Sequence, residues 1–121
     1  MPSIIYFGSD RCHRLPVLKQ AGFSVVECDS LWLLNSILIQ FPDPDAIAIE
    51  ENDEIDVDLV LSLVRSYCTA PIVLFENAKA FPGPSEFALV VPLLTDPHQW
   101  VRDLASLSSS AAHRTTRQQS I

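Results

Sequence analysis

Short runs of apolar residues alternate with helical patterns along this chain. The runs are continuous, without regular polar interruptions, which is typical of strands buried on both faces of a parallel sheet. Five strands are predicted in this way, over residues 3–7, 23–27, 45–50, 71–75 and 87–91. Strands that alternate with helices indicate a parallel α/β sheet with right-handed crossovers. Five strands at this length favour the flavodoxin-like, doubly wound order 2-1-3-4-5.

Capping and breaking residues predict where the helices begin and end. The first helix begins near Leu15, because Pro16 fits only a first helical turn, and it ends at Gly22. The second runs from a cap at Ser30 to about Phe41. A third covers about residues 56–68, and a last one opens with Asp96 followed by proline.

The connection between the fourth and fifth strands, residues 76–86, contains two prolines and a glycine. A full helix is not expected there, so the fourth helix of the usual doubly wound pattern is short or missing. Residues 1–108 then form one domain, and residues 109–121 form a C-terminal tail low in apolar residues.

The second helix has apolar residues on two sides. On a helical wheel its expected core stripe consists of Leu31, Leu34, Ile37, Leu38 and Phe41. Trp32 and Ile39 lie together on the opposite side, which is consistent with an exposed contact surface. A rotated helix, or a tail that covers both residues, is the alternative. The third helix has a single stripe, formed by Val57, Val60, Leu61, Val64, Tyr67 and Cys68.

Composition and charge exclude several classes of protein. With 48% hydrophobic and 19% charged residues among 121, the chain can bury enough apolar surface to fold. A net charge of −7 makes nucleic acids and anionic membranes poor partners. Its apolar runs are far shorter than the ~20 residues of a membrane span, and its start does not resemble a signal peptide. A cytoplasmic location is therefore the expectation.

Metal and cofactor sites are not expected either. Cys12, Cys28 and Cys68 are widely spaced and form no zinc-binding motif, so reduced thiols are predicted. The loop over residues 50–58 holds six acidic residues, but it lacks the EF-hand pattern and any glycine. We interpret it as a solvated acidic loop.

Several segments together resemble the receiver domain of response regulators, the CheY-like phosphoryl-accepting module of two-component signalling. The segments are residues 21–26 (AGFSVV), 44–50 (PDAIAIE), 71–75 (PIVLF) and 90–92 (VVP). The resemblance covers roughly residues 3–108 and implies a bacterial, cytoplasmic signalling protein. In the family, an acid pair after the first strand binds Mg²⁺, and an aspartate after the third accepts the phosphoryl group. A Ser/Thr after the fourth strand and a Lys after the fifth contact its oxygens.

This chain departs from the family at each of these positions. Gly8 and Ser9 replace the acid pair, although Asp10 follows one step on, and Glu50 stands at the acceptor position. Glu76 replaces the Ser/Thr and Val91 replaces the Lys. Phosphoryl transfer is therefore not expected, and the resemblance implies a degenerate pseudo-receiver that is not an enzyme.

Two hypotheses remain for Glu50. It is either a strand-end carboxylate in solvent or a partial mimic of phosphoaspartate, which carries about −1.5 to −2 against one charge on glutamate.

The rival class is a small phosphotransfer carrier or enzyme that uses Cys12 or Glu50. A further alternative is an atypical phosphorylatable receiver with Mg²⁺ at Asp10, Glu50 and Glu51. A cleft with convergent donors at Cys12 or Glu50 would favour the rivals.

The expected partner is a protein, which includes a second copy of the chain. Active receivers commonly pair through the face of the fourth helix, fifth strand and fifth helix. With the fourth helix short, we expect any contact at Trp32 and Ile39 instead.

Overall fold

The computed structural model describes residues 2–10, 13–41, 43–51, 56–76, 87–92 and 95–107. Five parallel strands form one sheet in the order β2-β1-β3-β4-β5, which confirms the predicted doubly wound topology. The strands are β1 (Ser3–Phe7), β2 (Ser24–Cys28), β3 (Ala46–Glu50), β4 (Ile72–Phe75) and β5 (Leu89–Val91).

The strand register brings the carboxyl ends of the central strands together. Phe7 in β1 lies opposite Ile49 in β3, and Glu50 lies opposite Phe75 in β4. Phe75 in turn lies opposite Val91 in β5. In open α/β sheets this edge is where ligands and reacting groups are placed.

The helices follow the predicted capping signals closely. They are α1 (Arg14–Gln20), α2 (Leu31–Gln40), α3 (Val57–Tyr67) and α4 (residues 97–107). Ser30 Oγ accepts from the Leu33 amide at 3.2 Å, and Asp56 and Asp96 accept in the same way at α3 and α4. Gly22 follows α1 with φ 98°, as expected of a glycine after a helix.

The helices cover both faces of the sheet. On one face α2 and α3 pack over Ile5, Ile47 and Leu74. On the other, α1 and α4 pack over Ile4, Val73 and the ring of Phe75 through apolar residues that include Leu18, Trp100 and Leu104. Both faces of the central strands are therefore buried, which explains their continuous apolar runs.

The predicted apolar stripes of α2 and α3 prove too wide. Leu34, Ile37 and Leu38 are buried, but Leu31 and Phe41 at the ends of α2 are exposed. The buried stripe of this ten-residue helix is therefore limited to its middle. Tyr67 is 38% exposed, because its side chain turns towards α2 and donates to Asn35 Oδ1 at 2.7 Å.

Some predictions fall outside the described residues. They are those for the connection at 77–86, for residues 52–55 of the acidic loop, for Cys12, and for the tail at 109–121. Cys28 and Cys68 are buried free thiols, and burial, with a smaller effect of Asp29, raises the pKa of Cys28 to about 12. In the described part of the chain, none of the helices has the length and apolar character that crossing a membrane requires.

Candidate functional site at the carboxyl edge of the sheet

Glu50, the last residue of β3, is completely buried, with 0% of its surface exposed. The hypothesis of a strand-end carboxylate in solvent is therefore wrong. Its side chain lies on the α1/α4 side of the sheet, where it is covered by the loop that follows β1. Burying a carboxylate is strongly unfavourable unless hydrogen bonds replace its lost water.

Three groups among the described residues donate hydrogen bonds to this carboxylate. The Tyr6 hydroxyl donates to Glu50 Oε2 at 2.6 Å, and the Asp10 amide donates to the same oxygen at 3.0 Å. Ser9 Oγ donates to Oε1 at 3.4 Å. Donors from β1 and from the loop after it thus take the place of solvent, and both carboxylate oxygens are engaged.

Tyr6 is the donor that the sequence interpretation did not identify. Burial is the main cause that raises its pKa, and the hydrogen bond and charge of Glu50 raise it further. The nearby positive charge of Arg14 acts in the opposite direction and lowers the pKa of Tyr6. Tyr6 therefore stays protonated at neutral pH and keeps its role as a donor. The sequence did contain a signal for this role, because a tyrosine hydroxyl in an otherwise apolar buried strand needs a hydrogen-bond partner.

Gly8 makes room for the inward position of Glu50. It has φ 154°, which side-chain-bearing residues rarely adopt, and a Cβ there would lie 2.5 Å from Glu50 Cβ. The same Cβ would lie 3.2 Å from Glu50 Oε2. At a position where the family resemblance implies a metal-binding acid, this chain has a residue without a side chain, and Glu50 packs against it.

Asp10 caps α1 and contributes its backbone amide to the Glu50 cluster. Its carboxylate Oδ1 accepts from the amides of Arg14 at 2.6 Å and Leu15 at 3.2 Å. The residue has φ 58°, a left-handed conformation that aspartate tolerates better than most residues. Its side chain is thus directed to the start of the helix, which weakens the hypothesis of Mg²⁺ held by Asp10, Glu50 and Glu51.

Arg14 supplies a buried positive charge that the sequence interpretation also missed. It is 6% exposed, its guanidinium carbon lies 4.5 Å from the centre of the Phe75 ring, and Nη2 donates to the Glu76 carbonyl at 3.5 Å. No sequence pattern distinguishes it from the neighbouring Arg11. Its burial depends on α1 packing against β4, which only the fold reveals.

The remaining positions of the family site, Glu76 and Val91, lie at the ends of the neighbouring strands β4 and β5. Val91 is buried in the apolar cluster around Phe75. The Glu76 amide donates to the Val91 carbonyl at 2.9 Å, so the two residues join the ends of β4 and β5. Among the described residues, no group of three or more His, Cys, Asp or Glu side chains is placed to hold a metal ion.

Neither a protein-family model nor a curated protein sequence matches this chain. Solved structures do match in fold. The N-terminal domain of a response regulator/sensory box/GGDEF protein from Carboxydothermus hydrogenoformans has TM-score 0.77 at 9% identity, covering 93% of this chain and 98% of that one. A response regulator receiver domain protein from Clostridium thermocellum has TM-score 0.77 at 6% identity, with the same coverage.

A receiver-modulated diguanylate cyclase from Pelobacter carbinolicus aligns with TM-score 0.73 at 11% identity, covering 96% of this chain and 99% of that one. At such identities the similarity establishes the fold alone. The chain has the flavodoxin-like fold of CheY-like receiver domains, as its strand patterns predicted.

Proposed function

We propose that this protein is a non-enzymatic signalling module of the bacterial cytoplasm, a pseudo-receiver that works by protein–protein contact. The observation that carries the proposal is the state of Glu50. The residue at the phosphoryl-acceptor position is fully buried, and both its oxygens accept hydrogen bonds from its own chain.

The geometry opposes phosphoryl transfer on physical grounds. A carboxylate nucleophile needs a free oxygen in line with the phosphoryl donor and cations to neutralise the transferred group. Glu50 Oε2 accepts from both Tyr6 and Asp10, which leaves little room for an approaching phosphorus atom. Val91 in place of the family lysine offers no positive charge.

Glu50 instead serves as a fixed internal anion. Its single charge is smaller than the −1.5 to −2 of a phosphoryl group. It is nevertheless held by donors from β1 and the following loop, so it acts as an internal ligand at this edge of the sheet. A pseudo-receiver of this kind is set in one conformational state, and its output depends on partner binding.

The rival phosphotransfer function receives mixed support. Donors do converge on Glu50, as that function requires, but with 0% exposure the residue offers no surface to a substrate. Cys12, the other candidate nucleophile, lies outside the described residues.

Chemical phosphorylation tests the proposal directly. The protein is incubated with acetyl phosphate and Mg²⁺, and separately with beryllofluoride and Mg²⁺, beside a phosphorylatable receiver as positive control. We expect no phosphate in the intact mass and no change in tryptophan fluorescence. Hydroxylamine-labile phosphate on the wild type that is absent from Glu50→Gln would overturn the proposal, and phosphate absent from Cys12→Ser would support the rival.

A further inference from the structure

The outer face of α2 is apolar and exposed. Trp32 is 77% exposed and Ile39 is 60% exposed, as their position opposite the buried residues of the helix predicted. They are seven residues apart, so they lie about 20° apart around the helix and about 10 Å apart along it. An exposed tryptophan aligned with a second large apolar residue is characteristic of contact surfaces.

The polar side chains between these two residues already have partners inside the chain. Ser36 Oγ donates to the Trp32 carbonyl at 3.2 Å, and Asn35 Oδ1 accepts from the Tyr67 hydroxyl at 2.7 Å. Covering the face would therefore leave these groups hydrogen-bonded, which lowers the desolvation penalty of an association.

Charge limits what can cover this face. The ten residues of α2 include no charged side chain, although the chain carries a net charge of −7. The nearest flanking charges in sequence, Asp29 and Asp43, are both acidic. Copies of the chain repel each other through most of their surface, so an uncharged face is where like-charged copies can approach with the least repulsion.

The spacing on α2 is self-complementary. In a twofold dimer the same surface faces itself, so residue i contacts j and j contacts i. When two α2 helices pack antiparallel across a twofold axis at Asn35 and Ser36, Trp32 of one copy lies against Ile39 of the other. The smaller side chains at the axis allow the two helices to approach closely. The contact between Trp32 and Ile39 then occurs twice, once on each side of the axis.

We propose that a second copy of this chain occupies the α2 face, in an antiparallel twofold dimer centred between Trp32 and Ile39. This inference specifies the protein contact on which the proposed function rests. The two copies attract each other through apolar contacts and repel each other through their like net charge. Because salt screens this repulsion, the dimer becomes tighter as the salt concentration rises. A partner held by opposite charge would show the reverse dependence.

Sedimentation velocity over a range of protein and salt concentrations tests the dimer. Ile39→Glu places a carboxylate in the contact, and Val90→Glu adds the same charge at an exposed residue of the edge strand β5. We expect at least about tenfold weaker self-association for Ile39→Glu and little change for Val90→Glu. In the wild type, Trp32 emission should also shift to the blue as the dimer forms.

Folding is checked with Trp32→Ala, in which the buried Trp100 is the remaining tryptophan and reports the core. A wild type that stays monomeric at every concentration would overturn the dimer, as would unchanged association in folded Ile39→Glu and Trp32→Ala. Loss of self-association in Val90→Glu alone would place the contact at β5 instead. These outcomes leave the phosphorylation result untouched, so failure of the dimer and failure of the pseudo-receiver proposal are distinguishable.

Discussion

The layer of α1 and α4 contains a buried polar cluster, whereas the layer of α2 and α3 carries large apolar side chains on its outside. In the first, Glu50 and Arg14 lie in the interior beside the rings of Tyr6 and Phe75. In the second, Trp32 and Ile39 face solvent. In this domain the polar groups at the carboxyl edge of the sheet are buried and hydrogen-bonded to one another, whereas the exposed large apolar residues lie on an outer helix.

Residues of the same type stand in contrasting places, and this allows matched substitutions. One tryptophan, one tyrosine and one glycine belong to the buried α1/α4 side, and each has a counterpart elsewhere that is exposed or has open space around it. The predictions below compare the two members of each pair and run from the largest expected effect to the smallest.

The two tryptophan substitutions should differ most in their effect on the free energy of unfolding. Trp100 is 3% exposed and packs edge-on against Phe75 with ring centroids 5.2 Å apart. We expect Trp100→Ala to lower the free energy of unfolding by about 3–5 kcal/mol. Trp32→Ala should change that of the monomer by less than about 0.5 kcal/mol. Urea unfolding followed by circular dichroism, at a dilution where the protein is monomeric, measures both.

A large loss of stability in Trp32→Ala would show that Trp32 belongs to the core of the monomer. The contact proposed for α2 would then lose its main residue.

The glycine pair tests the fit between Gly8 and Glu50. Gly8→Ala combines backbone strain with a Cβ 2.5 Å from Glu50 Cβ, so we expect destabilisation of about 3 kcal/mol. Gly22→Ala has open space and suffers only the strain of φ 98°, about 1 kcal/mol. Thermal melts of both variants give the comparison. Equal effects would mean that Glu50 is free to move away from Gly8.

The tyrosine pair tests the hydrogen bond to the buried carboxylate. Tyr6→Phe removes a donor from Glu50 and should lower the free energy of unfolding by about 2 kcal/mol, because the charged acceptor stays buried. Tyr67→Phe removes a bond to Asn35 at the surface and should lower it by about 0.5 kcal/mol. Chemical denaturation of both variants measures the difference.

If Tyr6→Phe proved as mild as Tyr67→Phe, the Tyr6 hydroxyl would not hold Glu50 in place. The account of Glu50 as a fixed internal anion would then need another donor.

The last prediction is a change with pH, and within one pH unit its effect is smaller than those of the core substitutions above. Burial and Glu50 raise the pKa of Tyr6 in the folded protein, whereas an unfolded tyrosine ionises near about 10. The unfolded state therefore loses this proton first, and the stabilisation present below pH 10 declines above it, by at most about 1.4 kcal/mol per pH unit. The stability of the wild type should fall more steeply above pH 10 than that of Tyr6→Phe. If the stability of the wild type and that of Tyr6→Phe changed with pH in parallel, this would contradict the raised pKa of Tyr6.

Local features of the sequence were enough to predict the scaffold. Continuous apolar runs identified the five strands, and Ser30, Asp56 and Asp96 identified the starts of three helices, because a cap acts within three residues of itself. The exposure of Trp32 and Ile39 also followed from the sequence, since the period of the helix places them opposite its buried residues.

The state of Glu50 depended on residues far from it along the chain. Tyr6 and Asp10 lie 44 and 40 positions away, and Gly8 influences Glu50 only because β1 and β3 are neighbours in the sheet. Inspection of Glu50 alone suggested a strand-end carboxylate in solvent, because a single sequence does not show which loop covers a strand end. The sequence by itself determined which residues stand at the positions where the receiver resemblance implies an acid pair, an acceptor aspartate, a Ser/Thr and a Lys. Only the tertiary structure decided that Glu50 is buried there, because hydrogen bonds between distant residues exist only once the strands have paired.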